Sequence, residues 1–92
     1  MITFVTELVG TFVFISVILM TGEAIPIGIA LISAIYFGGS ISGGHFNPAV
    51  STAKLVNGDL TPKKWFIYVA AQIIGGLVAL LFYKSRALKD KL

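Results

Sequence analysis

The chain has 92 residues, of which 57% are hydrophobic and 12% are charged, and its mean hydropathy of +0.95 is far above that of a soluble domain. Composition therefore excludes an ordinary water-soluble domain, and the length limits a membrane chain to about four crossings of the hydrocarbon core. The seven basic and four acidic side chains give a net charge of +3. Most of the basic ones flank an apolar run, where they anchor a helix at the lipid headgroups rather than bind nucleic acid.

The types of residue in the chain do not suggest a catalytic group, a metal site or a cofactor. The chain has no cysteine and a single histidine, His45, so thiolate sites and imidazole clusters are excluded. Its four carboxylates, Glu7, Glu23, Asp59 and Asp90, are scattered without the pairing that acid–base catalysis requires. We therefore expect a membrane protein that is not an enzyme.

The first predicted transmembrane helix covers about residues 3–21, which are long and apolar enough to span a bilayer. It begins too close to Met1 to carry the basic segment of a cleaved signal peptide, so we expect it to be retained. Glu7 and Thr11 recur at helical spacing with Gly10 beside them, which gives this helix one polar and small face. That face is expected to contact protein or water.

The second predicted span covers about residues 25–41 and follows a tight turn at Gly22. Small residues interrupt its large apolar side chains, among them Gly28 and the pair Gly38 and Gly39. We expect close contacts with neighbouring helices at these positions.

The third predicted span covers about residues 65–83, a run without charge that basic and aromatic residues bracket on both sides. This bracketing is typical of a helix that ends at the two headgroup regions. Three small residues at intervals of four, Ala71, Gly75 and Ala79, favour close packing of two helix backbones.

The segment between the second and third spans is too polar and glycine-rich for a lipid-facing helix, and too apolar for an ordinary surface loop. We interpret residues 42–57 as a re-entrant loop followed by a half-helix that begins at Pro48. Asn47 is a favourable N-cap, and proline is favourable at the first helical position. Ten helical residues span about 15 Å, half of the hydrocarbon thickness, so Asn47 is expected near the bilayer midplane.

The amino end of this half-helix has a defined chemistry. Its peptide dipoles leave about +0.5 charge there, which would repel cations at the centre of the membrane. If the side-chain oxygen of Asn47 caps the helix, its NH2 group stays free to donate to a passing water or hydroxyl oxygen. Gly43 and Gly44 supply the backbone freedom that an irregular turn at this depth requires.

The segment SGGHFNPAVS, which starts at Ser42, resembles the first Asn-Pro-Ala loop of the aquaporin and glycerol-facilitator family. Two further landmarks follow the family's order, ELVGTF with Glu7 in the first span and AQIIGG with Gln72 in the third. The resemblance covers essentially the whole chain. It implies an all-α, multi-pass membrane protein with three transmembrane helices and one re-entrant half-helix, which is one half of that family's fold.

The same resemblance implies roles for the matched residues. Val50 stands where the family's second half has a filter arginine, so the chain resembles the first half alone. Five residues would line the pore or shape its filter: Asn47, Pro48, Ala49, His45 and Ile27. Four would support the loop: Glu7, Gly43, Gly44 and Gln72.

One half with three spans does not enclose a pore, because its unwound loop has nothing on the open side. The family's two halves are related by a twofold axis in the membrane plane, so two copies inserted in opposite directions would reproduce the arrangement. Each side of the membrane would carry four positive groups, counting the terminal amine, which leaves little preferred orientation. We therefore expect an antiparallel pair in the lipid bilayer, with a higher oligomer also open, that conducts water and small neutral solutes passively.

Three other hypotheses stay open. The chain could be an incomplete half that conducts only with a different, complementary half that supplies the arginine. A small dual-topology drug and proton antiporter also has an acid in its first span, but it normally needs a fourth full span. A non-conducting assembly or regulatory subunit would be insensitive to Asn47→Asp.

Overall fold

The computed structural model describes all 92 residues and contains four α-helices and no strand. Three of the helices are long and apolar enough to cross a membrane, whereas the nine-residue helix α3 spans only about 14 Å. This confirms the predicted class, an all-α membrane protein with three transmembrane helices and one short helix of half-membrane length. The helices are α1 (Ile2–Thr21), α2 (Ala24–Ser42), α3 (Pro48–Val56) and α4 (Pro62–Lys91).

Glycines in the left-handed conformation end the first two helices. Gly22 has φ 61° and donates its N–H to the Ile18 carbonyl, which allows a tight turn into α2. Gly43 has φ 90° and closes α2 in the same way on the Gly39 carbonyl. The chain can therefore reverse direction at both points without strain on a side chain.

Helix α3 begins where the sequence predicts. The Asn47 side-chain oxygen accepts a hydrogen bond of 2.8 Å from the Ala49 N–H, and Pro48 occupies the first helical position. The helix gives way after Val56 to a turn in which Gly58 has φ 84°. The capping pattern thus defines both ends of this half-helix.

Helix α4 is longer than the apolar run that it contains. It has 30 residues, about 45 Å of helix, and starts at Thr61, whose hydroxyl caps the Lys64 N–H at 3.2 Å. It continues past Tyr83 to Lys91. The bracketing residues therefore mark the edges of the apolar segment rather than the ends of the helix, because a charged helix can continue into water.

Helix α1 lies at the centre of the bundle and packs against both α2 and α4, while α3 packs against α4. Fourteen residues are buried, and seven of them are polar or charged whereas only four are apolar. Most large apolar side chains point outward. This inverts the arrangement of a soluble core, since lipid rather than water surrounds the spanning helices.

Small residues permit the close approach of α1 to its neighbours. Ala71, Gly75 and Ala79 are all buried, and a Cβ on Gly75 would overlap the Leu8 backbone, so the predicted packing of this stripe is confirmed. The close contact expected at Gly28 is not made within the chain. Nothing lies within 4 Å of a Cβ built there, because α2 packs against α1 alone and Gly28 lies off that face.

Candidate functional site

A single buried carboxylate joins α1, the end of α2, the loop and α4. Glu7 is fully buried, and its Oε2 accepts from the Ser42 hydroxyl at 2.6 Å and from the His45 N–H at 3.0 Å. Its Oε1 accepts from the Phe46 N–H at 2.8 Å and from Gln72 Nε2 at 3.0 Å. Four donors on two oxygens compensate the cost of burying this polar group.

A second set of contacts connects the loop to α3 and α4. His45 Nδ1 lies 2.8 Å from the Ser51 hydroxyl, which also accepts from Gln72 Nε2 at 2.9 Å. The His45 ring stacks on Tyr68 with 4.4 Å between centroids, and the Tyr68 hydroxyl donates to the Ser42 carbonyl. We refer to the buried residues Glu7, Ser42, His45, Ser51 and Gln72 as the polar cluster.

The amino end of α3 is exposed, in contrast to the polar cluster. Asn47, Pro48, Ala49 and Val50 are all exposed in the isolated chain. While its Oδ1 caps α3, the Asn47 Nδ2 group makes no hydrogen bond within the chain and remains a free donor. It projects beside the positive end of the α3 dipole.

The loop before Asn47 directs its donors inward and leaves its acceptors free. The N–H groups of Gly43, Gly44, His45 and Phe46 all bond within the chain, to Gly39, Ser42 and Glu7. None of the carbonyls of the same four residues accepts a hydrogen bond within the chain. Four acceptors followed by one donor can bind water or hydroxyl groups without any charged side chain.

The two loop glycines fit the conformation of the loop, whereas Ile27 lies away from it. Gly43 and Gly44 have φ 90° and 67°, and a Cβ on Gly44 would lie 3.4 Å from the Gly39 Cα, so both positions favour glycine. Ile27 is partly buried near the start of α2, an element that does not contact α3. The structure thus brings together the loop and its supporting residues, but not Ile27.

Four residues at the site were not identified from the sequence: Ser42, Phe46, Ser51 and Tyr68. Tyr68 and Gln72 are four residues apart, and this shared helix face was the available signal for Tyr68. Ser42 and Ser51 carried no signal, because their role depends on how the loop folds back between helices. Phe46 could have been noticed as a large apolar residue within a polar, glycine-rich segment.

These features define a multi-pass integral membrane protein in which a buried polar cluster supports a re-entrant half-helix. The chain belongs to the Major intrinsic protein family, whose sequence profile matches residues 1–90. This confirms the family resemblance and the membrane localisation expected from the sequence. No solved structure matches the chain.

Several curated proteins are similar to the chain over part of their length. Glycerol uptake facilitator protein-like 6 of Lactiplantibacillus plantarum is 41% identical over 92 aligned positions, which cover 89% of this chain and 42% of that protein. Aquaporin Z of Brucella melitensis is 43% identical over 63% of this chain and 25% of its own length. A probable aquaporin TIP-type of Medicago truncatula is 39% identical, over 63% and 27% respectively. The chain therefore spans less than half the length of these relatives.

These names bear on two expectations from the sequence. The relatives are named as an uptake facilitator and as aquaporins, so the expectation that the chain is not an enzyme is confirmed. The antiporter hypothesis loses its support, because the chain belongs to another family and has three helices long enough to cross a membrane, the remaining one, α3, being too short.

Proposed function

We propose that the chain forms one half of a passive channel for water and small neutral solutes. The exposed amino end of α3 carries the proposal, because there the free Asn47 amide adjoins the four free carbonyls of residues 43–46. Such groups can exchange hydrogen bonds with water or a hydroxyl, while the positive end of the α3 dipole opposes cations. Family membership and the names of the relatives support transport of this kind.

A second copy inserted in the opposite direction completes the channel. Unpartnered backbone polar groups exposed to hydrocarbon cost several kcal/mol each, so the open side of the loop needs protein or a wet cavity against it. A twofold axis in the membrane plane would bring two such sides together, so that each loop would face protein and the two loops would line a wet cavity between them. Balanced charge supports opposite insertion, with the amino terminus, Lys54, Lys63 and Lys64 at one end of the bundle and Lys84, Arg86, Lys89 and Lys91 at the other.

A partner half of different sequence is the second candidate. Two observations favour it: the chain covers 42% of the Lactiplantibacillus relative, and its single arginine, Arg86, is remote from the loop. Arg86 lies on α4 about 21 Å along the helix from Gln72. A pure chain that is silent in vesicles, but conducts when a complementary half is co-expressed, would identify this case.

Osmotic shrinkage of vesicles tests the channel proposal. Vesicles that contain the purified chain should shrink faster than empty vesicles. Asn47→Asp retains an oxygen that caps α3 but removes the free NH2 group and adds negative charge, so solute flux should change and cation exclusion should weaken. Asn57→Asp adds the same charge at the exposed far end of α3, where the side-chain NH2 group is already bonded to Asp59, and should leave flux as it was.

Two results would count against the channel. A folded chain, present in both orientations, that conducts no faster than empty vesicles would contradict self-pairing. Equal flux through a conducting parent chain and Asn47→Asp would contradict a pore role for Asn47, whereas flux of both at the level of empty vesicles would favour a non-conducting subunit.

Labelling of the termini tests antiparallel insertion separately. The chain has no cysteine, so Ile2→Cys and Leu92→Cys each provide a single reactive site at one end. An impermeant thiol reagent should label about half of each variant from outside sealed vesicles, since the charges favour neither orientation. Complete labelling of one terminus with none of the other would contradict antiparallel pairing.

A further inference from the structure

Phe46 combines two features that rarely occur together in a loop residue. Its side chain is 2% exposed although it lies in a polar, glycine-rich segment. Its φ of 55° is the only positive value in the chain outside glycine, in a region that a bulky residue adopts only when its surroundings impose it. The surroundings of Phe46 must therefore fix it strongly.

The Phe46 ring lies in a seat formed by two glycines, one on α1 and one on α2. A Cβ on Gly10 would overlap the ring, since it would approach Cδ1 to 2.5 Å and Cζ to 2.7 Å. A Cβ on Gly38 would lie 3.1 Å from the ring Cζ and 2.9 Å from Thr6 Cγ2. The seat exists only because both positions lack a side chain.

The backbone of Phe46 has a second, independent anchor. Its N–H donates to Glu7 Oε1 at 2.8 Å, and the next residue is Asn47, whose amide is the free donor. With its ring and its N–H both fixed, Phe46 leaves Asn47 little freedom to move away from α1 and α2. The depth of the ring between these helices is thus coupled to the position of the Asn47 amide.

We infer that Phe46 is a positioning residue for Asn47. The depth of its ring between Gly10 and Gly38 sets how far the Asn47 amide projects from the chain, and so the ratio of glycerol to water that passes the amino end of α3. This inference rests on the proposed channel for its solute ratio, but the position of Asn47 can be measured without any flux.

The ring has room to move when it is crowded. One side of it borders an apolar groove of about 390 Å³ between α1 and α2, lined in part by Val9, Val13 and Phe37. Gly10→Ala should push the ring toward this groove while the helices stay packed. Phe46→Leu lacks two of the three ring atoms that the new methyl group would meet, Cε1 and Cζ, and its shorter side chain can turn Cδ1 away. It should therefore relieve the crowding in a double variant.

The experiment reads the position of Asn47 through the labelling rate of Asn47→Cys in the otherwise cysteine-free chain. Gly10→Ala should change that rate about fivefold or more, because overpacking of this size shifts conformational equilibria to that extent. Adding Phe46→Leu should return the rate to within about twofold of the parent chain. Gly28→Ala, at a position with nothing within 4 Å, is the matched control and should change nothing.

Solute selectivity is the second readout. The glycerol-to-water permeability ratio in vesicles should follow the labelling rate: changed in Gly10→Ala, restored by Phe46→Leu, and unaltered in Gly28→Ala. If the parent chain conducts nothing, the channel proposal fails while the labelling result still decides the role of Phe46.

The inference is overturned if a folded chain with Gly10→Ala and Asn47→Cys is labelled at the same rate as the chain with Asn47→Cys alone. It is also overturned if adding Phe46→Leu does not reverse the change in rate. Gly38→Ala crowds the ring tip less severely. If Gly10→Ala does not fold, Gly38→Ala replaces it in the same set of labelling measurements. Changed labelling with an unchanged permeability ratio in a conducting chain would refute the effect on selectivity.

Discussion

The polar cluster and the amino end of α3 lie next to each other, but they satisfy their polar groups in opposite ways. In the cluster, Glu7 receives four hydrogen bonds and is fully buried by the chain's own helices. At the amino end of α3, Asn47 keeps a free donor and is exposed. The loop is thus supported from within the chain, whereas the surface it presents carries polar groups that have no partner within the chain.

The largest effect is expected at the centre of the polar cluster. Glu7→Gln replaces one acceptor oxygen with a donor, so two of the four buried donors would lose their partner or face another donor. Unsatisfied buried groups cost about 1–3 kcal/mol each, and we expect a loss of about 3 kcal/mol or more in the free energy of unfolding.

Unfolding in mixed detergent micelles, followed by the fluorescence of the single tryptophan, would measure this loss. Glu23→Gln makes the same change at an exposed turn and is the matched control. If the two variants unfold alike, the Glu7 contacts do not support the loop.

A smaller loss is expected where α1 meets α4. A Cβ on Gly75 would overlap the Leu8 carbonyl oxygen and lie 3.2 Å from its carbon, and neither backbone can yield without separating the helices. Gly75→Ala should therefore destabilise the chain by about 2 kcal/mol.

The neighbouring glycine provides the control for this prediction. A Cβ on Gly76 meets only Ile15 Cγ1, at 3.8 Å, so Gly76→Ala should be neutral or stabilise α4 by about 0.5 kcal/mol through helix propensity. Equal destabilisation by both variants would show that helix packing does not decide the outcome. The same micelle unfolding assay serves for both.

The smallest effect on stability is expected at the amino end of α3. Asn47→Asp retains a favourable N-cap at an exposed position, so the free energy of unfolding should change by no more than about 0.5 kcal/mol. Its flux should nevertheless change, as proposed above. A large loss of stability in Asn47→Asp would mean that the exposed end also supports the fold, and the contrast between the two regions would fail.

Much of the fold follows from local patterns in the sequence. Hydropathy marks three spans, and Asn47 with Pro48 defines the start of α3, because capping and helix periodicity act over only a few residues. Hydropathy does not define the end of α4. It marks where the lipid-facing segment ends, whereas the helix continues to Lys91. Helix spacing also does not tell which small residue faces a neighbour, as Gly28 shows.

The site could be predicted only in part, for a related reason. Glu7 and Gln72 stood out because polar residues inside a span need a partner. Ser42, Ser51 and the Phe46 seat depend on how the loop folds back between helices that are distant in the chain. Contacts of that kind arise from tertiary packing, which spacing along one segment does not encode.

The central claim is that two halves must meet to form the passage, and the dependence of water flux on protein density tests it most directly. Stopped-flow shrinkage should be measured on vesicles with increasing amounts of the pure chain at fixed lipid. If pairs conduct and single chains do not, permeability above that of empty vesicles should rise with the square of the protein-to-lipid ratio while pairs are scarce. A linear rise while most chains are still single would contradict this claim, and no rise at any ratio would contradict pairing between copies of this chain.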